Sequence, residues 1–211
     1  MRKYLSRGFT LVELLIVIAL IGVIATIVIA AINPIEQANR ARDAGYKADA
    51  SQLLSAEERY FASHSEFPWV TLAGSTMVTN DSSFGFINGA DSSVGVCVNA
   101  ACSTSTAVPG GLLVTALELK TEFLNRNFVK KGLGTPDVTQ EIFVGKAAGS
   151  SSSVYACFVP QSKSNRDTAC TSGSVYTLNA DGTRTAVTCT AASTWPTSPS
   201  VGTAWVICEP D

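Results

Sequence analysis

The apolar and polar positions change character along the chain, and each change marks a different kind of element. From Leu14 to Ile32, nineteen consecutive residues carry no charge, and Thr26 is the only polar side chain. At about 1.5 Å per residue such a run makes a helix roughly 29 Å long, close to the hydrocarbon thickness of a bilayer. It is apolar on every side, which excludes an amphipathic surface helix. From Glu36 to Ser63 the pattern becomes periodic. Tyr46, Ala50, Leu53, Leu54, Tyr60 and Phe61 recur near 3.6-residue spacing and mark a face that must be buried against a head. Glu36, Arg40, Arg42, Asp43, Lys47, Asp49, Glu57, Glu58 and Arg59 alternate in sign, as on a solvated helix. Asn33-Pro34 separates the two halves. The proline ring clashes with the carbonyl four residues back, so a kink or loosening is predicted near Pro34. Gly45 weakens the second half by about 1 kcal/mol relative to alanine, and Phe67-Pro68-Trp69 ends it.

Beyond Pro68 the periodicity breaks up. Val70 to Gly111 is rich in turn formers, among them Gly74, Asn80-Asp81, Asn88-Gly89 and Pro109-Gly110-Gly111, with a short hairpin predicted near Val94 to Val98. Leu112 to Phe128 reads as partly helical. After Pro136 the chain turns to short strands, predicted at Val138 to Val144, Val154 to Val159, Val175 to Leu178, Thr183 to Thr188 and Ala204 to Cys208. Asp181-Gly182 between two of them is a strong hairpin signal. Gly149 to Ser153 reads as a flexible exposed loop.

Charge then gives the apolar run a direction. Arg2, Lys3 and Arg7 precede it, and no cation follows until Arg40. This asymmetry keeps the N-terminus in the cytoplasm and sends everything after Ile32 across the membrane. An ordinary secretory signal peptide fits less well, because the run exceeds a typical h-region and no small-residue cleavage site stands out. Glu13 is the anomaly, since an unpaired carboxylate taken into lipid would cost several kcal/mol. A glutamate snorkelling to the headgroups is the plain reading of that residue alone.

The whole string Arg7-Gly8-Phe9-Thr10-Leu11-Val12-Glu13 changes that reading. After a short basic leader, Gly-Phe-Thr-Leu-Val-Glu resembles the class III signal of the type IV pilin family, shared by prepilins and pseudopilins. The resemblance implies that prepilin peptidase cuts between Gly8 and Phe9 and that the new Phe9 amine is methylated. Glu13 then becomes the fifth residue of the mature chain, where the family carries its glutamate, and would accept the Phe9 amine of a neighbouring subunit. A buried carboxylate is tolerable mainly when an opposite charge meets it. Gly22 fits the family's helix-loosening glycine, whereas Pro34 lies about one turn beyond the commonest proline placement. The exit Glu58-Arg59-Tyr60-Phe61 followed by Phe67-Pro68 is also similar to that of pilin helices. The likeness therefore covers about the first 68 residues.

It implies an α+β fold, a long N-terminal helix packed against an antiparallel β-sheet head. The implied divisions are a leader at 1–8, a transmembrane and filament-core helix at 9–32, an amphipathic docking helix at 33–64 and a disulfide-containing β-rich head at 65–211. The implied life history is a single-pass precursor in the cytoplasmic membrane, then an extracellular filament of the kind used in adhesion and motility. Its partners would be copies of itself, related pilins, prepilin peptidase and the pilus assembly machinery. Two other readings stay open: a pseudopilin of a secretion or DNA-uptake machine, and a membrane-anchored surface binding module that does not polymerise.

Composition narrows the chemistry. The formal charge is −2, and taking away Arg2, Lys3 and Arg7 brings the mature form near −5. That argues against general nucleic-acid binding, which needs a clustered basic face; Lys130-Lys131 and Lys163 with Arg166 are small spots of the kind usually solvated. Cys97, Cys102, Cys157, Cys170, Cys189 and Cys208 all lie on the translocated side, where disulfides persist. Six cysteines allow 15 connectivities, among which sequence cannot choose. Sequential pairs would close short local loops, and Cys189–Cys208 is the pair the family likeness implies. With no Cys-x-x-Cys pair and His64 as the only histidine, neither a zinc site nor a histidine-dependent triad is expected. No phosphate loop, dinucleotide fingerprint, nucleophile elbow or metalloprotease helix occurs, so no enzyme activity, cofactor or metal is expected. Asn80-Asp81-Ser82 fits a glycosylation sequon, a tripeptide common by chance.

Overall fold

The computed structural model of the chain describes residues 8–31, 33–72, 79–98, 110–132, 137–191, 194–196 and 202–210. The leader cations Arg2, Lys3 and Arg7, together with Ile32 and Cys102, lie outside them. The chain divides into two compact units, Met1–Ala38 and Asn39–Asp211.

In the first unit, helix α1 spans Leu11–Ala31. Its stretch Leu11–Ile29 is long and apolar enough to cross a membrane, and none of it is buried. Gly22 lies inside α1. Helix α2, Pro34–His64, opens on the proline. A proline is well suited to a first helical position, where its missing N–H has no partner to lose. Asn33 caps that start: its side-chain oxygen accepts the Glu36 amide at 3.2 Å. The chain thus ends one helix at Ala31 and begins another at Pro34.

From Asn39 onward α2 belongs to the head, whose frame is a four-stranded antiparallel sheet. Its strands are β1 (Phe84–Asn88), β2 (Ile142–Lys146), β3 (Val154–Phe158) and β6 (Ile207–Glu209), in the order β1-β2-β3-β6. The apolar stripe of α2 packs on one face of it. Tyr46, Ala50, Leu53, Leu54 and Tyr60 share a core with Ile142, Val144, Ala156 and Phe158. The opposite face carries a second core of Phe86, Phe143, Cys157, Leu178, Val206 and Cys208. With both faces covered, every residue of β2 is buried. This is the α+β arrangement expected from the sequence, a docked helix on an antiparallel sheet.

Shorter elements fill the connections. Helix α3 (Pro68–Leu72) follows the exit of α2, where Phe61, Phe67, Trp69 and Phe84 form a run of stacked rings with centroids 4.4 to 4.7 Å apart. Helices α4 (Leu112–Thr115) and α5 (Asn127–Gly132) account for the partly helical stretch. Helix α6 (Lys163–Ser172) follows β3, and a hairpin of β4 (Tyr176–Leu178) and β5 (Arg184–Ala186) turns at Asp181-Gly182 as expected. Gly182 has φ +76°, and a Cβ there would sit 2.0 Å from the Lys146 carbonyl oxygen, so both conformation and space demand glycine.

Several expectations are corrected. Val94 to Val98 forms no hairpin; Ser92–Val94 is a 3-10 turn capped by Asp91, and Cys97 makes an isolated bridge to Gly110. The first part of the Val138–Val144 strand is instead a 3-10 turn, Val138–Gln140, capped by Asp137. Gly149 to Ser153, largely exposed as expected, is a turn joining β2 to β3. The Gly149 amide donates to Asp81 O at 2.8 Å, and Lys146 Nζ donates to Gly149 O at 2.8 Å. The charges of α2 are not all solvated, for Asp43 is 2% exposed, Asp49 7% and Glu57 0%.

Candidate functional site

The N-terminal motif is held by local hydrogen bonds. The Thr10 backbone amide and hydroxyl both donate to Glu13 Oε2, at 2.8 and 2.9 Å. In return the Glu13 amide donates to Thr10 Oγ1 at 3.2 Å. This is a capping box: residue types Thr-x-x-Glu satisfy two orphan donors of a helix start reciprocally. Glu13, which the sequence offers only headgroups or a neighbouring subunit's amine, thus has a partner within its own first turn. Thr10 was missed, although Thr10-x-x-Glu13 ahead of an apolar run is a readable start signal. Both contacts fall on Oε2, which places the carboxylate at the entrance of α1.

Gly8, Phe9 and Thr10 precede the first helical turn and are exposed, Phe9 by 81%. A Cβ at Gly8 would meet nothing within 4 Å among the described residues, so their packing does not require glycine there. Behind the motif, the large apolar side chains from Leu11 to Ile29 are 45 to 81% exposed. Such a surface calls for an apolar surrounding, either lipid or other helices.

The second group of polar side chains joins α2 to the head. Asp43 is the centre of it. Its carboxylate accepts the Gln161 amide at 2.9 and 3.1 Å, the Ser162 amide at 2.9 Å and Asn165 Nδ2 at 2.9 Å. Ser162 is itself the cap of α6, accepting the Asn165 amide at 3.1 Å. An aspartate of one helix thus closes the positive end of another. Around it Arg42 donates to the Thr139 carbonyl, Tyr46 Oη donates to the Gln140 carbonyl at 3.0 Å, and Lys47 pairs with Glu209 at 2.8 Å. Further along, Asp49 pairs with Arg126 at 3.3 Å and Arg59 with Glu118 at 2.8 Å. Burial raises the Asp49 carboxyl above its ordinary range, and the nearby Arg126 opposes that shift. Five of the nine charges that read as solvated, Arg42, Asp43, Lys47, Asp49 and Arg59, are docking contacts.

The cysteines are paired differently from expectation. Cys157 bonds Cys208 and Cys170 bonds Cys189, so the Cys189–Cys208 pair is overturned, and with it Cys157–Cys170. The reason is register: β3 and β6 run antiparallel with Cys157 directly opposite Cys208. Cys170 lies on α6, tied to the segment after β5, and its sulfur receives Trp195 Nε1–H at 3.3 Å. Cys97 is also disulfide-bonded, while the expectation for Cys102 lies outside the described residues.

The remaining candidates have structural partners. His64 stacks on Tyr60 with centroids 4.0 Å apart, and its Nδ1 lies 2.8 Å from Ser63 Oγ. Asn80 spans the α2–α3 turn, accepting the Phe67 amide at 3.2 Å and donating to Ser65 O at 2.8 Å. Lys163 pairs with Asp167 at 3.2 Å, and Arg166 donates to Pro160 O at 2.7 Å. Among the described residues no three His, Cys, Asp or Glu side chains gather as metal ligands do.

A capped motif at the head of an exposed apolar helix, ahead of a helix docked on an antiparallel sheet, defines a pilin-like architecture. Comparison with known proteins agrees for the N-terminal part: the prokaryotic N-terminal methylation motif matches residues 4–29. The chain thus carries the class III prepilin signal typical of type IV pilins and pseudopilins, which are generally structural proteins rather than enzymes. No curated protein and no solved structure matches the chain.

Proposed function

We propose that this protein is a structural subunit of a type IV pilus, made as a membrane-anchored prepilin and polymerised through α1. Prepilin peptidase cuts the exposed Gly8–Phe9 bond, and the Phe9 amine is methylated. The assembly machinery then moves the apolar helix out of lipid into a bundle of identical helices. Lipid contacts are exchanged for helix contacts, so packing and polar pairing rather than a hydrophobic gain favour assembly. Subunits related head to tail make heterologous contacts and generate an open helical polymer.

The observation that carries this reading is the placement of Glu13. It is the only charge in α1, at the entrance of a helix whose apolar surface is exposed from Leu11 to Ile29. In the bundle its carboxylate receives the Phe9 amine of a neighbouring subunit. That pair sets register more than it adds net energy, because two charges must leave water to form it.

Imaging of surface filaments in cells with and without the gene tests the proposal, with Glu13→Ala as the diagnostic variant. Glu13→Ala is expected to leave membrane insertion and leader removal unchanged and to reduce incorporation beside wild-type subunits severalfold or more. The incoming amine would otherwise stand unpaired among apolar helices, at a cost of several kcal/mol. Glu13→Asp, with charge retained and reach shortened, should be intermediate. Normal filaments from Glu13→Ala would remove the salt-bridge mechanism. Unchanged filaments on deletion, with secretion or DNA uptake impaired instead, would assign the chain to the pseudopilins.

A further inference from the structure

Glu57 sits on the face of α2 that packs into the head. It is 0% exposed, and neither carboxyl oxygen has a hydrogen-bond partner among the described residues. Leu53 and Tyr60, one turn to either side, are buried in the main core.

Among the described residues, the head groups that form ion pairs with α2 do so with residues other than Glu57. Glu118 pairs with Arg59, Arg126 with Asp49, and Glu209 with Lys47. Asp91 caps its own turn through Ser93, Glu141 takes a hydrogen bond from Asn88, and Lys146 donates to the Ala147 and Gly149 carbonyls. On α2 itself His64 is stacked on Tyr60, and Glu58 is exposed. Arg42 and Asp43 are held at the β3–α6 connection and its neighbouring turn. Nothing in this inventory neutralises a Glu57 carboxylate. An isolated ionised carboxylate in such surroundings is far costlier than the neutral acid.

We propose that Glu57 is a proton-dependent lock on the interface between α2 and the head: the neutral acid packs in the core, and ionisation loosens that packing as pH rises. The proposal concerns the head alone and does not depend on how α1 is used. Burial raises the Glu57 carboxyl well above its ordinary range, in the direction that the missing partners require. The sign follows from proton binding. Between the ordinary glutamate range and the raised native value, the folded head holds a proton that the unfolded chain has released. In that window the folding equilibrium constant falls up to tenfold for each unit rise in pH, and the effect saturates above the native value.

The experiment uses the full chain in detergent micelles with its disulfides intact. Denaturant unfolding is followed by tryptophan fluorescence from pH 5 to pH 9 for wild type, Glu57→Gln and Glu57→Met. Comparison with the variants cancels the contributions of Asp49, Glu141 and other titrating groups. The expected result is a wild-type folding constant that declines relative to both variants as pH rises, by up to tenfold per unit. Infrared difference spectra between wild type and Glu57→Gln supply a readout that needs no variant stability. The folded wild type at pH 7 should show the C=O stretch of a protonated carboxylic acid, absent from Glu57→Gln. Parallel pH curves for all three proteins, or no protonated-acid band at pH 7, would overturn the proposal.

Discussion

Replacing Asp43 by alanine should be the most damaging single change to the way α2 is held in the head. The carboxylate is 2% exposed and serves three donors: the amides of Gln161 and Ser162, and Asn165 Nδ2. A buried donor deprived of its acceptor costs about 1–3 kcal/mol, and bonds to a charged acceptor lie at the upper end. Three such losses taken at face value would approach the whole stability of a small domain. Water moderates the cost, because Asp43 and Asn165 line an open groove of about 320 Å³ beside α6. Water can reach Asn165 Nδ2 there, whereas the Ser162 amide belongs to a fully buried residue. The expected destabilisation is therefore about 2–4 kcal/mol for Asp43→Ala. Asp43→Asn keeps one acceptor oxygen and should lose about half as much. The assay is denaturant unfolding of the full chain in detergent at pH 7, with amide exchange read at residues 161–166. The exchange should accelerate at the start of α6 before it does in β2. A destabilisation below about 0.5 kcal/mol, the level of an ordinary surface substitution, would refute the reasoning.

Other outcomes follow from the same contacts. Peptide mapping without reduction should recover Cys157 linked to Cys208 and Cys170 linked to Cys189, and a Cys189–Cys208 peptide would contradict the register of β3 and β6. Removing the Cys157–Cys208 bond frees a loop of 51 residues in the unfolded chain, worth about 4 kcal/mol on chain-entropy grounds. Hydrogen bonds from the Thr139 side chain, then from Gln140, hold the Asp137 carboxyl below its ordinary range. A depressed carboxyl stabilises the fold above its unfolded value and loses that contribution as pH falls through the native one. Thr139→Val should accordingly raise the Asp137 titration seen by NMR, and an unchanged midpoint would assign the shift to another cause.

The two halves of the N-terminal region were legible for different reasons. Helix α1 is written in composition, since nineteen uncharged residues behind a basic leader match the length and polarity of a bilayer-spanning helix. The docking face of α2 is written in periodicity, and Tyr46, Ala50, Leu53, Leu54 and Tyr60 are all in the core. The charges between them were misread because a sign pattern cannot tell a solvated carboxylate from one capping a distant helix. Asp43 reaches residues more than a hundred positions away. Helix α6 escaped notice because Lys163 to Ser172 is polar and buries only Ala169. Its visible signals were the boundaries, Ser162 as cap and Gly173 with φ +74° as terminator. Strand β1 was hidden in a turn-rich stretch, where Gly85 interrupts a short apolar run. The disulfides depend on strand register, which no spacing of cysteines reveals.

Methylation and the pairing of Glu13 with a neighbouring amine both presuppose a chain that begins at Phe9, so the proposed assembly turns on the leader junction. Mass spectrometry of the N-terminal peptide from surface-exposed protein tests it most directly. The expected peptide starts at Phe9 with one methyl group on its amine, and a bulky residue in place of Gly8 should abolish that peptide while leaving the head folded. Surface-exposed protein that retains Met1 and the intact Gly8–Phe9 bond would contradict it.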